Sequence, residues 1–165
     1  MTIKSQVNWS VCVLVLLSGC QSPIQTNEPN LTETLAWMQN ALKEHNGARL
    51  SPPIKEVVDQ HTLVADHCKL TYELTNFDTV QYDLADIDTK TIKIEKIGDI
   101  PWVTFKTRDF HHSVHYTSPA ENGNPAIDYT AENGGFSLDG QDVATSFAKA
   151  LARAANLCGS KGSTF

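Results

Sequence analysis

The feature that most constrains the fold is a two-residue hydrophobic period between Cys68 and Tyr116. Successive side chains of a β-strand point to opposite faces, so alternating apolar and polar residues predict strands with one buried face. Only short polar segments separate these runs, and no helical pattern lies between them. Strands joined this closely pair with antiparallel neighbours, so we predict an antiparallel meander.

Five alternating runs and two turn-bounded segments give the strand count. Their predicted inward residues are Cys68, Leu70, Tyr72 and Leu74; Val80, Tyr82 and Leu84; Ile92 and Ile94; Val103 and Phe105; and His112, Val114 and Tyr116. The segments Ile127–Thr130 and Gly135–Leu138 lie between glycine-containing turns. We therefore expect five to seven strands in a sheet or partial barrel. The spacing within Ile54–His61 permits a short helix or an irregular strand, and both stay open.

A helix is predicted before the strands, because Leu31, Leu35, Met38 and Leu42 share one helical face. Asn30 and Glu33 have the spacing of a capping box at its start. Asn46-Gly47 is a natural stop.

A second helix is predicted after the strands. Its apolar stripe consists of Val143, Phe147, Leu151, Ala154 and Cys158. Asp139 is the expected N-cap, and Gly159 is placed to end the helix. Several alanines between these positions allow the helix to lie close to a sheet.

These elements predict an α+β domain over residues 31–159. Between Asp66 and Cys158 the element order, with the closing helix DVATSFAKALARAANLC, resembles the pleckstrin-homology-like architecture. That resemblance implies a bent sheet or partial barrel plugged at one end by the C-terminal helix. A cone-shaped helix-plus-sheet fold is the alternative.

The N-terminus has the layout of a secretory signal. Met1–Asn8 carries one side-chain cation, Lys4, and is followed by an apolar run that ends in the small residues Ser18-Gly19. A membrane-spanning helix needs about 20 apolar residues, and this run is shorter.

The end of that signal, Leu17-Ser18-Gly19-Cys20, resembles the lipobox of bacterial lipoproteins. The resemblance implies cleavage between Gly19 and Cys20, lipidation of Cys20, and a membrane partner held through lipid. Gln21 in place of aspartate implies the periplasmic face of the outer membrane in a Gram-negative cell. We expect a signal over residues 1–19, a polar tether over 20–30 and a flexible tail over 160–165. An ordinary signal with a chance cysteine is the alternative.

Two cysteines stay in the mature domain, because Cys12 leaves with the signal and Cys20 takes the lipid. Export places Cys68 and Cys158 in an oxidising compartment, which favours a disulfide between them. The alternative is two buried thiols that pack as small hydrophobic groups.

Net charge limits the possible partners. The formal charge of −6 argues against nucleic acid, whose phosphates require clustered lysine and arginine. It also argues against electrostatic docking on anionic lipids, so the lipid on Cys20 must hold the chain at the membrane.

Motifs for catalysis or metal binding are weak in this sequence. His111, His112 and His115 lie on a predicted strand, where neighbouring residues face opposite sides, so three metal ligands do not converge. Asp86-Ile87-Asp88 lacks the further ligands and the glycine of a calcium loop. Neither a G-x-S-x-G nor an H-E-x-x-H motif occurs. We predict no cofactor, no metal and no catalytic residue.

These observations favour a non-catalytic protein- or peptide-binding module at the cell envelope. The segment LTNFDTV, between the first two predicted strands, has no basic residue for a lipid head group. A peptide would instead add to a strand edge beside the closing helix. Trp102 and Tyr129 are the candidate exposed aromatic residues, with ordinary partial burial as the alternative. A structural envelope component, a small-ligand carrier and, less favoured, a small enzyme are the other functions considered.

Overall fold

The alternating segments form antiparallel strands in the computed structural model of the chain, which describes residues 28–45, 62–73, 78–120 and 125–159. The signal, the lipobox cysteine, Ile54–His61, Leu74 and the tail lie outside the described residues. The elements in chain order are α1 (Leu31–Glu44), β1 (Thr62–Asp66), β2 (Lys69–Glu73), β3 (Thr79–Asp83), β4 (Ile87–Ile97), β5 (Ile100–Thr107), β6 (Val114–Ser118), β7 (Ile127–Ala131), β8 (Asn133–Ser137) and α2 (Gln141–Leu157). The predicted α+β class is confirmed.

The strands form two sheets, with the orders β1-β2-β3-β6-β7 and β4-β5-β8. The expected single meander is therefore wrong in its connections. After β3 the chain turns out of the first sheet through a 3-10 helix, Leu84–Asp86, in which the Asp83 carboxylate accepts a hydrogen bond from the Ala85 N–H at 2.9 Å. The β4–β5 hairpin then builds the second sheet before β6 returns to pair with β3.

The predicted inward faces of the strands are confirmed in the core. Seven of their residues are at most 5% exposed: Leu70, Tyr72, Val80, Tyr82, Val103, Phe105 and Val114. Three residues at the ends of the predicted strands lie outside the strands in the structure. Cys68 lies in the turn before β2, Leu84 is buried in the 3-10 helix, and His112 is exposed ahead of β6.

An aromatic cluster joins the two sheets to α2. The ring of Phe136 on β8 lies 5.1 Å from Tyr82 and 5.6 Å from Tyr72, both in the five-stranded sheet. The centroid of the Phe136 ring also lies 5.1 Å from that of the Phe147 ring of α2. Tyr82 also makes an edge contact with Phe105 of β5 at 5.4 Å. Such ring pairs add stability beyond their buried area.

Helix α1 begins with the predicted capping box. The Glu33 N–H donates to Asn30 Oδ1 at 3.0 Å, and the Asn30 N–H donates to Glu33 Oε2 at 2.9 Å. Along the helix, Gln39 Nε2 donates to the Leu63 carbonyl of β1 at 2.9 Å. Helix α1 therefore covers the edge of the five-stranded sheet that β1 forms. Among the described helices, neither is long and apolar enough to cross a membrane.

Helix α2 buries the predicted stripe through Phe147, Leu151 and Ala154, and Gly159 follows it with a positive φ of 89°. The prediction that Asp139 caps the helix is wrong. The N-cap is Gly140, without a side-chain cap, because Asp139 is held by the end of α1. Its N–H donates to the His45 carbonyl at 2.9 Å, and its carboxylate lies 3.0 Å from His45 Nδ1.

The predicted disulfide is present between Cys68 and Cys158, which are 90 residues apart. It ties the turn between β1 and β2 to the end of α2. A loop of this length lowers the entropy of the unfolded chain, and such a bridge stabilises a domain by about 2–5 kcal/mol.

Gly134 controls how closely the sheets approach. A Cβ at this position would lie 2.6 Å from Tyr82 Cε1 and 2.7 Å from Phe105 Cζ, inside the aromatic cluster. We expect Gly134→Ala to destabilise the domain by about 1–3 kcal/mol, as overpacking does. Gly140→Ala is the control, since its Cβ would meet only Val143 Cγ2 at 3.8 Å. Urea unfolding of both variants measures the difference, and equal free energies of unfolding would contradict the prediction.

Candidate functional site

A cleft with a volume of about 980 Å³ lies between the two sheets. This volume is at the upper end of the range of small-molecule sites. The five-stranded sheet contributes Tyr72, Val80, Tyr82 and Tyr116, and the three-stranded sheet contributes residues of all its strands, among them Lys93, Glu95, Trp102, Thr104, Lys106 and Gly135.

One wall is a face of the three-stranded sheet. Trp102, Thr104 and Lys106 alternate along β5 with the buried residues Val103 and Phe105, so the two sets project from opposite faces. The buried set packs into the core with Phe136, and the other set lines the cleft, which Phe105 also reaches. In the register, Glu95 of β4 lies opposite Trp102, and Lys93 lies opposite Thr104. Aromatic and charged side chains therefore share this wall.

The opposite wall continues outward to the edge of the five-stranded sheet. Tyr116 of β6 lines the cleft, and its ring stacks on Tyr129 of β7 with centroids 4.8 Å apart. Tyr129 is 51% exposed and Ile127, on the same face of β7, is 50% exposed. The inner face of the sheet thus extends past the cleft as an exposed apolar surface.

The base of the cleft is formed where the sheets meet. The Tyr82 hydroxyl donates to the Gly135 carbonyl at 3.3 Å, a hydrogen bond that crosses from one sheet to the other. Burial raises the pKa of the Tyr82 hydroxyl well above its ordinary value, and burial also raises the pKa of Tyr72. Both phenols therefore stay protonated at neutral pH, and each presents a neutral group to the cleft.

Charge in the cleft lining is mainly positive, with Lys90, Lys93 and Lys106 against Glu95. Lys93 Nζ lies 2.6 Å from Glu95 Oε1, and the Thr104 hydroxyl donates to Glu95 Oε2 at 3.1 Å. These two hydrogen bonds, from Lys93 first and then Thr104, lower the pKa of Glu95 and keep it ionised. The Glu95 carboxylate is thus already bound by its neighbours.

Both predicted aromatic residues lie near this cleft. Trp102 is half-buried in its wall, and Tyr129 lies beyond the lining but stacks on Tyr116. Tyr116, Lys93 and Lys106 also line the cleft and were not predicted as site residues from the sequence. Alternation along β5 places Lys106 on the same face of the strand as Trp102. Lys106 could therefore have been predicted by the same argument. Tyr116 was assigned only to the core face, and it lines the cleft together with the core-facing residues Val80 and Tyr82.

The histidine cluster does not form a metal site among the described residues. His115 Nε2 lies 2.7 Å from Asp128 Oδ1 across β6 and β7, whereas His112 lies 3.4 Å from the Thr130 carbonyl. His111 is exposed in the loop ahead of β6. His67 is exposed beside Asp66, and His61 lies outside the described residues.

The edge strands differ in how they are protected. β1 is covered by α1, and β4, which contacts α2, carries Lys90, Lys93 and Lys96. Charged side chains of this kind discourage pairing with another strand. Within the described part of the chain β7 pairs with β6 alone, and four of its five residues are exposed. β7 is therefore an edge strand with no partner on its outer side among the described strands.

Comparisons with protein families, with curated proteins and with solved structures found no match for this chain.

Stability should fall at alkaline pH because of the buried tyrosines. Below about pH 10 these phenols are protonated in both states, but above it the unfolded chain loses protons that the folded chain keeps. Unfolding is then favoured by up to about 1.4 kcal/mol per pH unit for each tyrosine. We expect Tyr82→Phe to reduce this slope, as measured by urea unfolding between pH 8 and pH 11. Tyr129→Phe, which removes a surface phenol, is the control, and an unchanged slope in Tyr82→Phe would contradict the assignment.

Proposed function

We propose that this chain is an exported, lipid-anchored envelope protein that acts as a non-catalytic peptide-binding module, with the cleft between the sheets as its binding site. The observation that carries the proposal is the pair of aromatic walls, with Trp102 on one sheet and Tyr116 on the other. Clefts with apolar walls and a few polar groups are the usual binding sites of small domains.

A peptide suits this site because the cleft adjoins a free strand edge. Tyr116 lines the cleft and is the register partner of Tyr129 on β7. An extended segment that pairs with β7 would bind through backbone hydrogen bonds, and its side chains could reach the cleft past Tyr116. The edge would supply affinity and the cleft would supply specificity.

The composition of the cleft supports binding rather than catalysis. The described lining holds no histidine or cysteine, and its one carboxylate, Glu95, is bound by Lys93 and Thr104. General acid–base or nucleophilic chemistry needs a base within hydrogen-bond reach of the reacting group. The lining offers no such pair among its described residues.

A small-ligand carrier is the second candidate. Its support is the cleft volume of about 980 Å³, which is enough for a small molecule without any strand addition. The two candidates predict different occupants of the cleft, a peptide segment in the first case and a small molecule in the second.

The anchor would orient the domain. Arg153 of α2 holds the start of the described chain, with Nη1 at 2.5 Å from Glu28 Oε2 and Nε donating to the Pro29 carbonyl at 2.6 Å. Only residues 21–27 separate this point from Cys20, a reach of roughly 30 Å at most. The helices would then face the membrane. The cleft, on the face of β5 opposite the one that contacts α2, would point away from it.

Replacing Cys20 tests the anchor. We expect Cys20→Ala to accumulate as an uncleaved precursor without incorporated fatty acid, because lipidation of that cysteine precedes cleavage in the lipoprotein class. The measurement is gel mobility with a labelled fatty acid, in cells that process lipoproteins. Cys12→Ala, which changes a cysteine inside the signal, is the matched control and should mature normally. Normal processing of Cys20→Ala would rule out the lipid anchor.

Site-specific photo-crosslinking tests the cleft. We expect a photoreactive amino acid at Thr104 to give discrete protein adducts in intact cells, since that side chain lines the cleft. The same group at Val64, which is 46% exposed on β1, is the control and should give none of these adducts. Trp102→Ala should remove the Thr104 adducts, as identified by mass spectrometry. Adducts of small-molecule mass would instead favour the carrier, and identical adducts at both positions would contradict a binding role for the cleft.

A further inference from the structure

We infer that the segment bound in the cleft is an acidic peptide, with a large apolar side chain and a carboxylate four residues apart. This inference rests on the proposed peptide-binding function and names the chemistry of its ligand. It is carried by the charge of the cleft, by the register of Trp102 and Lys106 on β5, and by the direction in which the cleft faces.

The charge of the cleft is opposite to that of the whole chain. The chain has 19 acidic residues against 13 lysines and arginines, a formal charge of −6. The cleft lining reverses this balance, with three lysines and one glutamate. A positive site on a negative protein selects anionic partners and disfavours cationic ones. An acidic segment is therefore the complementary occupant.

Lys106 is the cation that remains available to a ligand. The charge of Lys93 is compensated by Glu95, at 2.6 Å. Asp88 is the register partner of Lys106, but it accepts a hydrogen bond from the Lys90 N–H at 3.0 Å and lies outside the cleft lining. Among the described residues no carboxylate forms an ion pair with Lys106.

The spacing of the two recognition groups sets the spacing in the peptide. Trp102 and Lys106 lie on the same face of β5, four residues apart, which is about 13 Å along a strand. An extended peptide running along the cleft has the same repeat, so its side chains at i and i+4 match these two positions. The apolar side chain would contact Trp102, and the carboxylate would lie near Lys106. Thr104, between them, leaves room for a small residue at i+2.

A peptide carboxylate fits this site better than a lipid head group. The described lining contains no arginine, the residue whose planar guanidinium binds phosphate oxygens in pairs, and its lysines act as separate point charges. The cleft also opens on the side of β5 away from α2, and it is α2 that holds the domain end of the tether through Arg153. A lipid anchored beside the helices would lie on the opposite side of the domain.

Trp102 provides a direct reporter for the test. The mature chain contains two tryptophans, Trp37 and Trp102, since Trp9 lies in the signal. Trp37→Phe, made in the mature chain with Cys20→Ser, leaves Trp102 as the only fluorophore of this type. The probes are two pools of capped octapeptides, with Phe at position 2, Glu or Gln at position 6, and Gly, Ser, Thr or Val elsewhere. The change in Trp102 emission gives the affinity of each pool.

We expect the Glu pool to bind about three- to tenfold more tightly than the Gln pool at 50 mM NaCl, and the ratio to approach one at 500 mM NaCl. Lys106→Gln should remove the preference for the Glu pool without loss of Gln-pool binding. Lys96→Gln is the matched control, because Lys96 is on the adjacent strand β4 but outside the cleft lining. That variant should keep the preference.

The outcomes separate the inference from the function on which it rests. Equal affinities for the two pools in the reporter protein, with saturable binding of both, would overturn the acidic specificity and leave peptide binding standing. A preference that survives in Lys106→Gln would overturn the assignment of the carboxylate to Lys106. No change in Trp102 emission with either pool would overturn peptide binding in the cleft and the inference with it.

Discussion

The contact of Tyr82 with Gly134 is the interaction on which the architecture depends. The Tyr82 ring lies where a side chain at position 134 would be, and its hydroxyl donates to the next carbonyl, that of Gly135. This places a ring of the five-stranded sheet directly against the backbone of β8. Phe105 and Phe136 close around the same ring, and Phe136 continues the cluster to α2. A larger residue at this point would force the Tyr82 and Phe105 rings to shift and would loosen the packing between the two sheets.

Close approach of the sheets at one point also explains the cleft beside it. One face of the three-stranded sheet packs into the core through Val103, Phe105 and Phe136, which are all at most 2% exposed. An antiparallel sheet often leaves its second face to water, and that face is then polar. In this protein the second face carries Trp102 among lysines and threonines. Together with residues of the five-stranded sheet, this face lines the cleft.

The sequence predicted what is encoded locally and missed what depends on distant partners. Period-two alternation gave the buried face of each strand, and the capping box of α1 was visible in Asn30 and Glu33, because both are short-range patterns. Alternation does not say which strands pair. β3 joins β6 across the whole β4–β5 hairpin, so the division into two sheets was not predictable. Asp139 failed as a cap for the same reason, since His45, 94 residues earlier, binds it.

The cleft can be predicted only once the division of the strands into two sheets is known. Alternation places Trp102 and Lys106 on one face of β5, but whether that face meets solvent, a helix or another sheet depends on β8 and on Gly134. The disulfide and the Arg153 contacts hold the opposite, helical side of the domain. The aromatic cluster and these links lie on the core and helical sides of the domain, whereas the outer face of β5 lines the cleft. Support of this kind behind a mixed aromatic and cationic surface would limit the ordering cost of the peptide binding proposed above.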